Sequence, residues 1–364
     1  MKLTRYGLLE FGIPISIVFS NTFIFSLIGA KVQLSHIIVL LMILTLILSK
    51  SRVKCEPMIV AAILMVLPLA PLYRINDYME FFKSYVMYLT ILFLVFIYFN
   101  SIKNEPDVLK RVLKNFCIVM FCMEIYGIIQ FALVNIAGIE TLYNVFGNHQ
   151  FLTQIETQFW GIRRASSLFY EPSIFGVMCD LEFMCLLILK KINIIKKKYY
   201  YLFIAICVAA VGVSISTSAY IMMLIILILD LALNKDILDK NRCLIIASLV
   251  ITMIVLTFSG DSILIKTIGR IKMINVEGYS TYERLSVPVQ LLNRTMSIYP
   301  LFGRGLGQEG NVDAVGQIGS YSSPQNSLVA IGVTFGLSSI LVIFVIAKYF
   351  RKIINKDRRG IIIL

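Results

Sequence analysis

The chain has 364 residues, 58% of them hydrophobic and 15% charged, with a mean hydropathy of +0.84 and a formal net charge of +13. A soluble domain carries about 45–50% apolar and about 25% charged residues, so this balance excludes an ordinary water-soluble fold. Continuous apolar runs, repeated and long enough for a hydrocarbon core of about 30 Å, imply an all-α polytopic membrane protein; the lack of strict alternation excludes a β-barrel.

Taken in order, the apolar runs predict about ten transmembrane helices. They lie near 10–28, 34–49, 57–72, 81–100, 116–138, 168–189, 199–214, 217–234, 243–259 and 326–348. Phe11 to Ile28 is read as the first span rather than a cleaved signal peptide, because no small-residue cleavage site follows it. Pro68 and Pro71 predict a kinked or short third span. Ser214 to Tyr220, SISTSAY, predicts a tight polar turn between the seventh and eighth.

The basic residues give the orientation. With the N-terminus inside, Lys2 and Arg5, Lys50 to Lys54, Lys103 to Lys114, Lys190 to Lys198, Lys235 to Arg242 and Lys348 to Arg359 all fall in inner loops. Retention of positive charge on the cytoplasmic side then accounts for +13 without nucleic acid, and both termini are expected in the cytoplasm. The seven cysteines, Cys55, Cys117, Cys122, Cys179, Cys185, Cys207 and Cys243, avoid the external loops, so neither a disulfide framework nor a CxxC metal site is expected. No external carboxylate cluster calls for a metal, and no cofactor is implied. The expected organisation is one integral membrane domain over 1–364, with external segments at about 139–167 and 260–325 that are too long to be simple turns.

The first external segment ends in RRASSLFYEPSIFG, Arg163 to Gly176. Charge at the boundary of an apolar span is costly to desolvate and needs partners. Arg163 and Arg164 suit phosphate oxygens, which a guanidinium binds with two parallel bonds. Glu171, at a partly dry boundary, suits a general base. The plainer reading is that Glu171 pairs with an arginine and caps the helix that Pro172 opens.

The second segment contains YSTYERLSVPVQLLNRTMSIYPLFGRGLGQEG, Tyr279 to Gly310. Leu285, Val289, Leu292, Met296 and Tyr299 recur at helical spacing after Ser286, a candidate cap, while Glu283, Gln290 and Arg294 share another face. This predicts an amphipathic helix on the membrane, its polar side towards a cleft. Pro300 ends it. The glycines at 303, 305, 307 and 310 suit close backbone approach to an anion, or simply a turn. Gln325 and Asn326 open the last span. Inside the apolar runs stand Glu124, Asp180 and Glu182. Glu124 and Asp180 fall at similar depth, and intramembrane carboxylates serve proton relays or pair within the bundle.

Three of these features resemble the O-antigen polymerase and ligase superfamily, the Wzy-like and WaaL-like enzymes of bacterial surface polysaccharide assembly. They are R-x-S-S-L-F-x-E-P-S-x-F-G from Arg164 to Gly176, the Glu283-Arg284 pair followed by YPLFGRGLG from Tyr299 to Gly307, and QNS at Gln325 to Ser327. The order of spans and the two large external segments match as well. The resemblance implies a GT-C-type membrane glycosyltransferase in the cytoplasmic membrane of a bacterium, working on its outer face. The donor would be an oligosaccharide on undecaprenyl diphosphate, and a chain-length regulator protein is an implied partner. The product would be O-antigen, capsule or exopolysaccharide. Carried over by position, Arg164, Arg284 and Glu171 are the catalytic candidates. Arg163, Arg294, Arg304, Gln325 and Asn326 are the substrate-binding ones. Arg294 and Gly305 also sit at the Arg-to-Gly spacing of some polymerase loops. Gln325 stands where ligases carry a histidine, and glutamine is no base at ordinary pH. That departure favours the polymerase branch over ligase-type transfer to another acceptor. A transporter or flippase for lipid-linked glycan is the other class, and would draw on Glu124 and Asp180 instead.

Overall fold

The computed structural model describes residues 5–19, 23–27, 30–48, 62–97, 106–139, 158–159, 162–169, 171–233, 282, 286–308, 315 and 327–344. In chain order its elements are α1 (Arg5–Val18), β1 (Phe23–Leu27), β2 (Ala30–Gln33), α2 (Leu34–Leu48), two 3-10 turns at Leu67–Leu69 and Leu72–Arg74, α3 (Tyr78–Ile97) and α4 (Pro106–Ala137). Then come β3 (Gln158–Phe159), β4 (Ile162–Arg163), α5 (Pro172–Lys191), α6 (Lys197–Ser214), α7 (Thr217–Leu233), α8 (Val287–Ile298) and α9 (Ser327–Phe335). Apart from two antiparallel hairpins, β1–β2 and β3–β4, the described elements are helical.

Among the described residues, three helices are long and apolar enough to cross a membrane: Asp107–Ala137, Pro172–Lys191 and Lys197–Ser214. Gly7–Val18, Leu34–Thr45, Ala62–Arg74 and Ser218–Asp230 are shorter apolar helices. Large side chains such as Leu40, Ile129, Leu202 and Ile228 stand exposed on these helices. Water would penalise that surface, whereas lipid does not. The chain is a membrane protein.

The first and fifth expected spans differ from the sequence reading. The expected first span, 10–28, stops at Val18, and Phe23 to Gln33 forms the β1–β2 hairpin instead, pairing Leu27 with Ala30. Aromatic and β-branched residues at 23–25 favour the pleated conformation. The expected fifth span, 116–138, begins at Pro106. Proline is well placed in a first helical turn. The added turns are charged and bonded: Lys110 pairs with Asp107 at 2.9 Å and Arg111 with Glu10 at 2.8 Å, while Asn115 donates to the Glu10 carbonyl at 3.1 Å. The ninth expected span, 243–259, lies outside the described residues.

The chain divides into two compact units, Met1–Arg52 with Ile97–Met253, and Val53–Phe96 with Ile254–Leu364. In the first, α5 runs through the middle. Phe175, Cys179, Phe183 and Leu186 are buried with Met120 of α4, Cys207 of α6 and Met223 of α7. A Cβ on Gly127 would lie 2.7 Å from the Phe175 ring, so only glycine lets that ring in. The α6–α7 turn is as tight as SISTSAY suggests. Ile215 takes the left-handed conformation, the Ser214 hydroxyl donates to the Val211 carbonyl at 2.7 Å, and the Tyr220 hydroxyl donates back to Gly212 at 3.0 Å.

In the second unit the proline-interrupted segment becomes a short helix at 62–66 followed by the two 3-10 turns. Tyr85 and Tyr88 of α3 fasten it, donating to the carbonyls of Met65 and Leu64 at 2.9 Å each. The last span, expected as one helix over 326–348, is interrupted. The α9 helix ends at Phe335, Gly336 turns the chain with φ +57°, and helix resumes over 338–344.

The segment 300–305 fills the break. A continuous helix would bond the Leu337 and Ser338 amides to the Val333 and Thr334 carbonyls. Here those amides donate to Pro300 at 2.7 Å and Leu301 at 3.0 Å instead. The two carbonyls accept from Arg304 at 2.8 Å and Gly305 at 3.0 Å. Two helix bonds are exchanged for four bonds to the inserted loop, and no freed group is left over. Gly336 and Gly303 make this close approach feasible. A Cβ on Gly336 would sit 2.5 Å from both the Gly303 amide nitrogen and the Pro300 oxygen. We expect Gly336→Ala and Gly303→Ala each to destabilise the protein by roughly 3 kcal/mol or more. The check is thermal unfolding in detergent, against Gly212→Ala, whose Cβ would meet nothing within 4 Å; equal melting temperatures would contradict it.

Candidate active site

In the first unit, the segment from Arg163 to Phe169 is threaded among helix ends by its backbone. Asn135, near the end of α4, accepts from the Arg163 amide at 2.8 Å and donates to the Arg163 carbonyl at 2.9 Å. The Ala165 amide donates to the Val213 carbonyl of α6 at 3.0 Å. Gln130 of α4 accepts from the amides of Ser166 at 3.1 Å and Ser167 at 2.9 Å, and donates to the Ser167 carbonyl at 3.3 Å. Ser167, with φ +53°, donates its hydroxyl to Met123 at 2.7 Å. One glutamine thus does the work of a neighbouring strand. Phe169 then stacks on Phe175 with ring centroids 5.8 Å apart.

The two serines and Ala165 are buried, while the side chains of Arg163, Arg164 and Glu171 are half-buried. Glu171 is the residue that precedes α5, with extended backbone, yet its side chain makes no capping bond. It accepts the Ser173 hydroxyl at 2.8 Å. Among the described residues it forms no ion pair, so the plainer expectation of an arginine-paired cap is not what the fold adopts. A carboxylate oriented by a hydroxyl, on a segment whose backbone is pinned, is suited to taking a proton from a bound hydroxyl.

The second unit holds α8 and the glycine loop. The α8 helix buries Val287, Pro288, Leu291 and Thr295, and packs against Val333 and Val329 of α9. The expected stripe through Val289 and Met296 is therefore turned by one residue: Val289 is exposed and Met296 half-buried. Two residues set that rotation. Gly332 of α9 lies under Leu292, where a Cβ would come within 2.8 Å of its Cδ1, and Thr295 is fully buried. Ser286 precedes the helix without capping it; Gln290 donates to its hydroxyl at 3.0 Å. Gln290 and Arg294 are exposed, as the polar face requires.

The glycine loop is not a nest of open amides. Gly303 donates to Tyr299 at 3.1 Å, and the Arg304 and Gly305 amides are used in the break of the last span. The Arg304 side chain is only 2% exposed and engaged within the protein. Sequence reasoning also passed over Arg74 and Gln308. Gln308 is locked reciprocally to Asp77, accepting from its amide at 3.3 Å and donating to its carbonyl at 2.9 Å. A polar residue beside a proline-rich turn was the available signal for Arg74. Gln130, a lone amide inside an apolar run, was the signal for the clamp on Ser166 and Ser167.

Arg163, Arg164 and Glu171 belong to the first unit, Arg294 and Arg304 to the second. Arg284, Gln325, Asn326 and Glu283 lie outside the described residues. Of the intramembrane acids, Glu124 of α4 meets Glu182 of α5, with the Cys179 and Cys207 thiols alongside. These two carboxyls and that of Asp180 are buried.

Removing the Gln130 amide strands two buried backbone donors. We expect Gln130→Ala to cost about 2–4 kcal/mol and the exposed Asn135→Ala about 1 kcal/mol or less. Thermal unfolding of the two variants side by side tests the order; Asn135→Ala as the more damaging change would contradict it.

Neither the curated proteins nor the solved structures contain a match to this chain. A family model described as WcaD colanic acid polymerase matches residues 9–364, taking in α1, the pinned arginine segment, α8, the glycine loop and the broken last span. With that match over nearly its whole length, the chain belongs to the WcaD colanic acid polymerase family, whose members are polymerases of polysaccharide synthesis.

Proposed function

We propose that the chain joins undecaprenyl-diphosphate-linked oligosaccharide repeat units into a surface polysaccharide, by inverting glycosyl transfer at the outer face of a bacterial cytoplasmic membrane. One observation carries this reading. The segment from Arg163 to Glu171 has its backbone anchored to α4 and α6, while its two guanidinium groups and its carboxylate remain at the half-buried margin. Such preorganisation serves charge that develops during a reaction, because nothing has to reorient when it appears.

In the reaction, a hydroxyl oxygen of the acceptor repeat unit attacks the anomeric carbon of the donor glycan. It arrives on the face opposite the lipid diphosphate. The carbon–oxygen bond to the diphosphate breaks, and its electron pair leaves on the phosphate oxygen. The hydroxyl proton passes to Glu171, held by Ser173. Arg164 and Arg284 neutralise the departing diphosphate, helped by Arg163; a guanidinium matches two phosphate oxygens at once. Arg294, on the exposed face of α8, and Gln325 and Asn326 contact the glycan. Arg304, buried, acts by holding its loop. Both termini lie in the cytoplasm, on the strength of the basic inner loops. A chain-length regulator protein is the partner that sets product length.

The family match favours polymerisation over carriage of lipid-linked glycan across the membrane. Gln325 in place of histidine argues against ligase-type transfer. Purified protein given lipid-linked repeat units should produce a ladder of longer products. We expect Glu171→Gln, Arg164→Ala and Arg284→Ala each to lower chain lengthening by about a hundredfold or more, with the protein still membrane-inserted. A wild-type ladder from any one variant removes that residue from the mechanism. A wild-type protein that yields no ladder overturns the polymerase reading itself.

A further inference from the structure

We propose that Arg74 is a positioning residue for the polymerase reaction, holding the glycine loop from Tyr299 to Gln308 in the register that the site needs. The inference rests on the polymerase reading above. It starts from the backbone accounting of that loop. The carbonyls of Pro300 and Leu301 are taken by Leu337 and Ser338, and the amides of Gly303, Arg304 and Gly305 by Tyr299, Val333 and Thr334. The Gly303 carbonyl takes none of these bonds, and the Arg74 guanidinium donates to it. The same guanidinium lies over the Tyr299 ring, 4.4 Å from its centroid. Arg74 therefore grips both Tyr299, at the end of α8, and Gly303, inside the inserted segment.

Two further contacts tie the same loops together. Gln308 and Asp77 exchange two hydrogen bonds. Gly307 packs against the Glu80 carbonyl, where a Cβ would come within 2.4 Å. The stretch from Arg74 to Glu80 is thus a brace along one side of the glycine loop. Its depth is indicated separately. Tyr73 is 80% exposed and Tyr78 54% exposed, and tyrosines that face outwards on both sides of a turn mark the membrane–water interface. A lipid diphosphate sits at that level. The brace can therefore set the loop that follows α8, whose exposed face carries Arg294, without touching the substrate. An arginine is required because one planar group must both donate to a carbonyl and lie flat on a ring. Lysine offers a point charge that can do either in part.

The test uses the full-length protein in liposomes with lipid-linked repeat units, comparing wild type, Arg74→Ala, Arg74→Lys and Tyr299→Leu. Rates are expressed per folded protein, with the folded fraction taken from thermal unfolding. We expect Arg74→Ala to lower kcat by about tenfold to a hundredfold, as small misplacements of catalytic groups do. KM should change less than about twofold, since a residue that does not touch substrate leaves uniform binding intact. Arg74→Lys should recover part of kcat, and Tyr299→Leu should fall between wild type and Arg74→Ala. A kcat per folded protein equal to wild type in Arg74→Ala overturns the inference. So does a raised KM at unchanged kcat, which would make Arg74 a substrate contact. Should Arg74→Ala fail to fold, Arg74→Lys and Tyr299→Leu decide: a lowered kcat supports the role and a normal one overturns it. A wild-type ladder beside an unimpaired Arg74→Ala refutes this role alone, whereas no ladder from wild type refutes the polymerase reading.

Discussion

A backbone amide or carbonyl away from water must find a partner inside the protein, and in a membrane that requirement is nearly absolute. Helices meet it locally. This chain breaks the helical pattern at two places that matter, and each break is closed by a dedicated set of partners. In the second unit, the last span gives up two of its own hydrogen bonds at Gly336 and gains four from residues 300–305. The exchange fixes the position of the glycine loop, because a shift of one residue would strand several groups at once.

The first unit solves the same problem with side chains. Residues 163–167 run without helix or a full sheet beside buried helices, and Gln130 and Asn135 supply what a neighbouring strand would have supplied. An amide can do this because it offers an acceptor and two donors on one planar group. Burial of Ser166 and Ser167 then leaves the charged neighbours at the margin. The segment is held by its backbone, with Arg163, Arg164 and Glu171 half-buried.

The two devices share a logic that suits a glycosyltransferase of this family. Glycosyl transfer depends on charges fixed in advance. Loops inside a membrane protein are costly unless their polar groups are met, so the groups that meet them determine where the charges sit. Arg74 is the clearest example: its charge is spent on the Gly303 carbonyl and the Tyr299 ring, and its effect on the reaction is transmitted through the loop it holds.

The sequence by itself determined the class, most of the helices and the motifs. Long apolar runs have few alternatives in lipid, so α5, α6 and α7 fall where hydropathy puts them, and Pro68 and Pro71 interrupt the third run as expected. The arginine pair, Glu171 and the family resemblance were legible because they are local strings. Tertiary structure alone decided the rest. Phe23 to Gln33 is apolar enough for a helix but pairs as a hairpin. The buried face of α8 is turned by one residue to suit Gly332 and Val333 of α9. The last span breaks at a glycine that a lipid-facing helix would tolerate. The glycine loop spends the Arg304 and Gly305 amides on that break. None of these outcomes is encoded in a local pattern. Each depends on which distant backbone groups arrive without partners, and that is fixed only when the chain is packed.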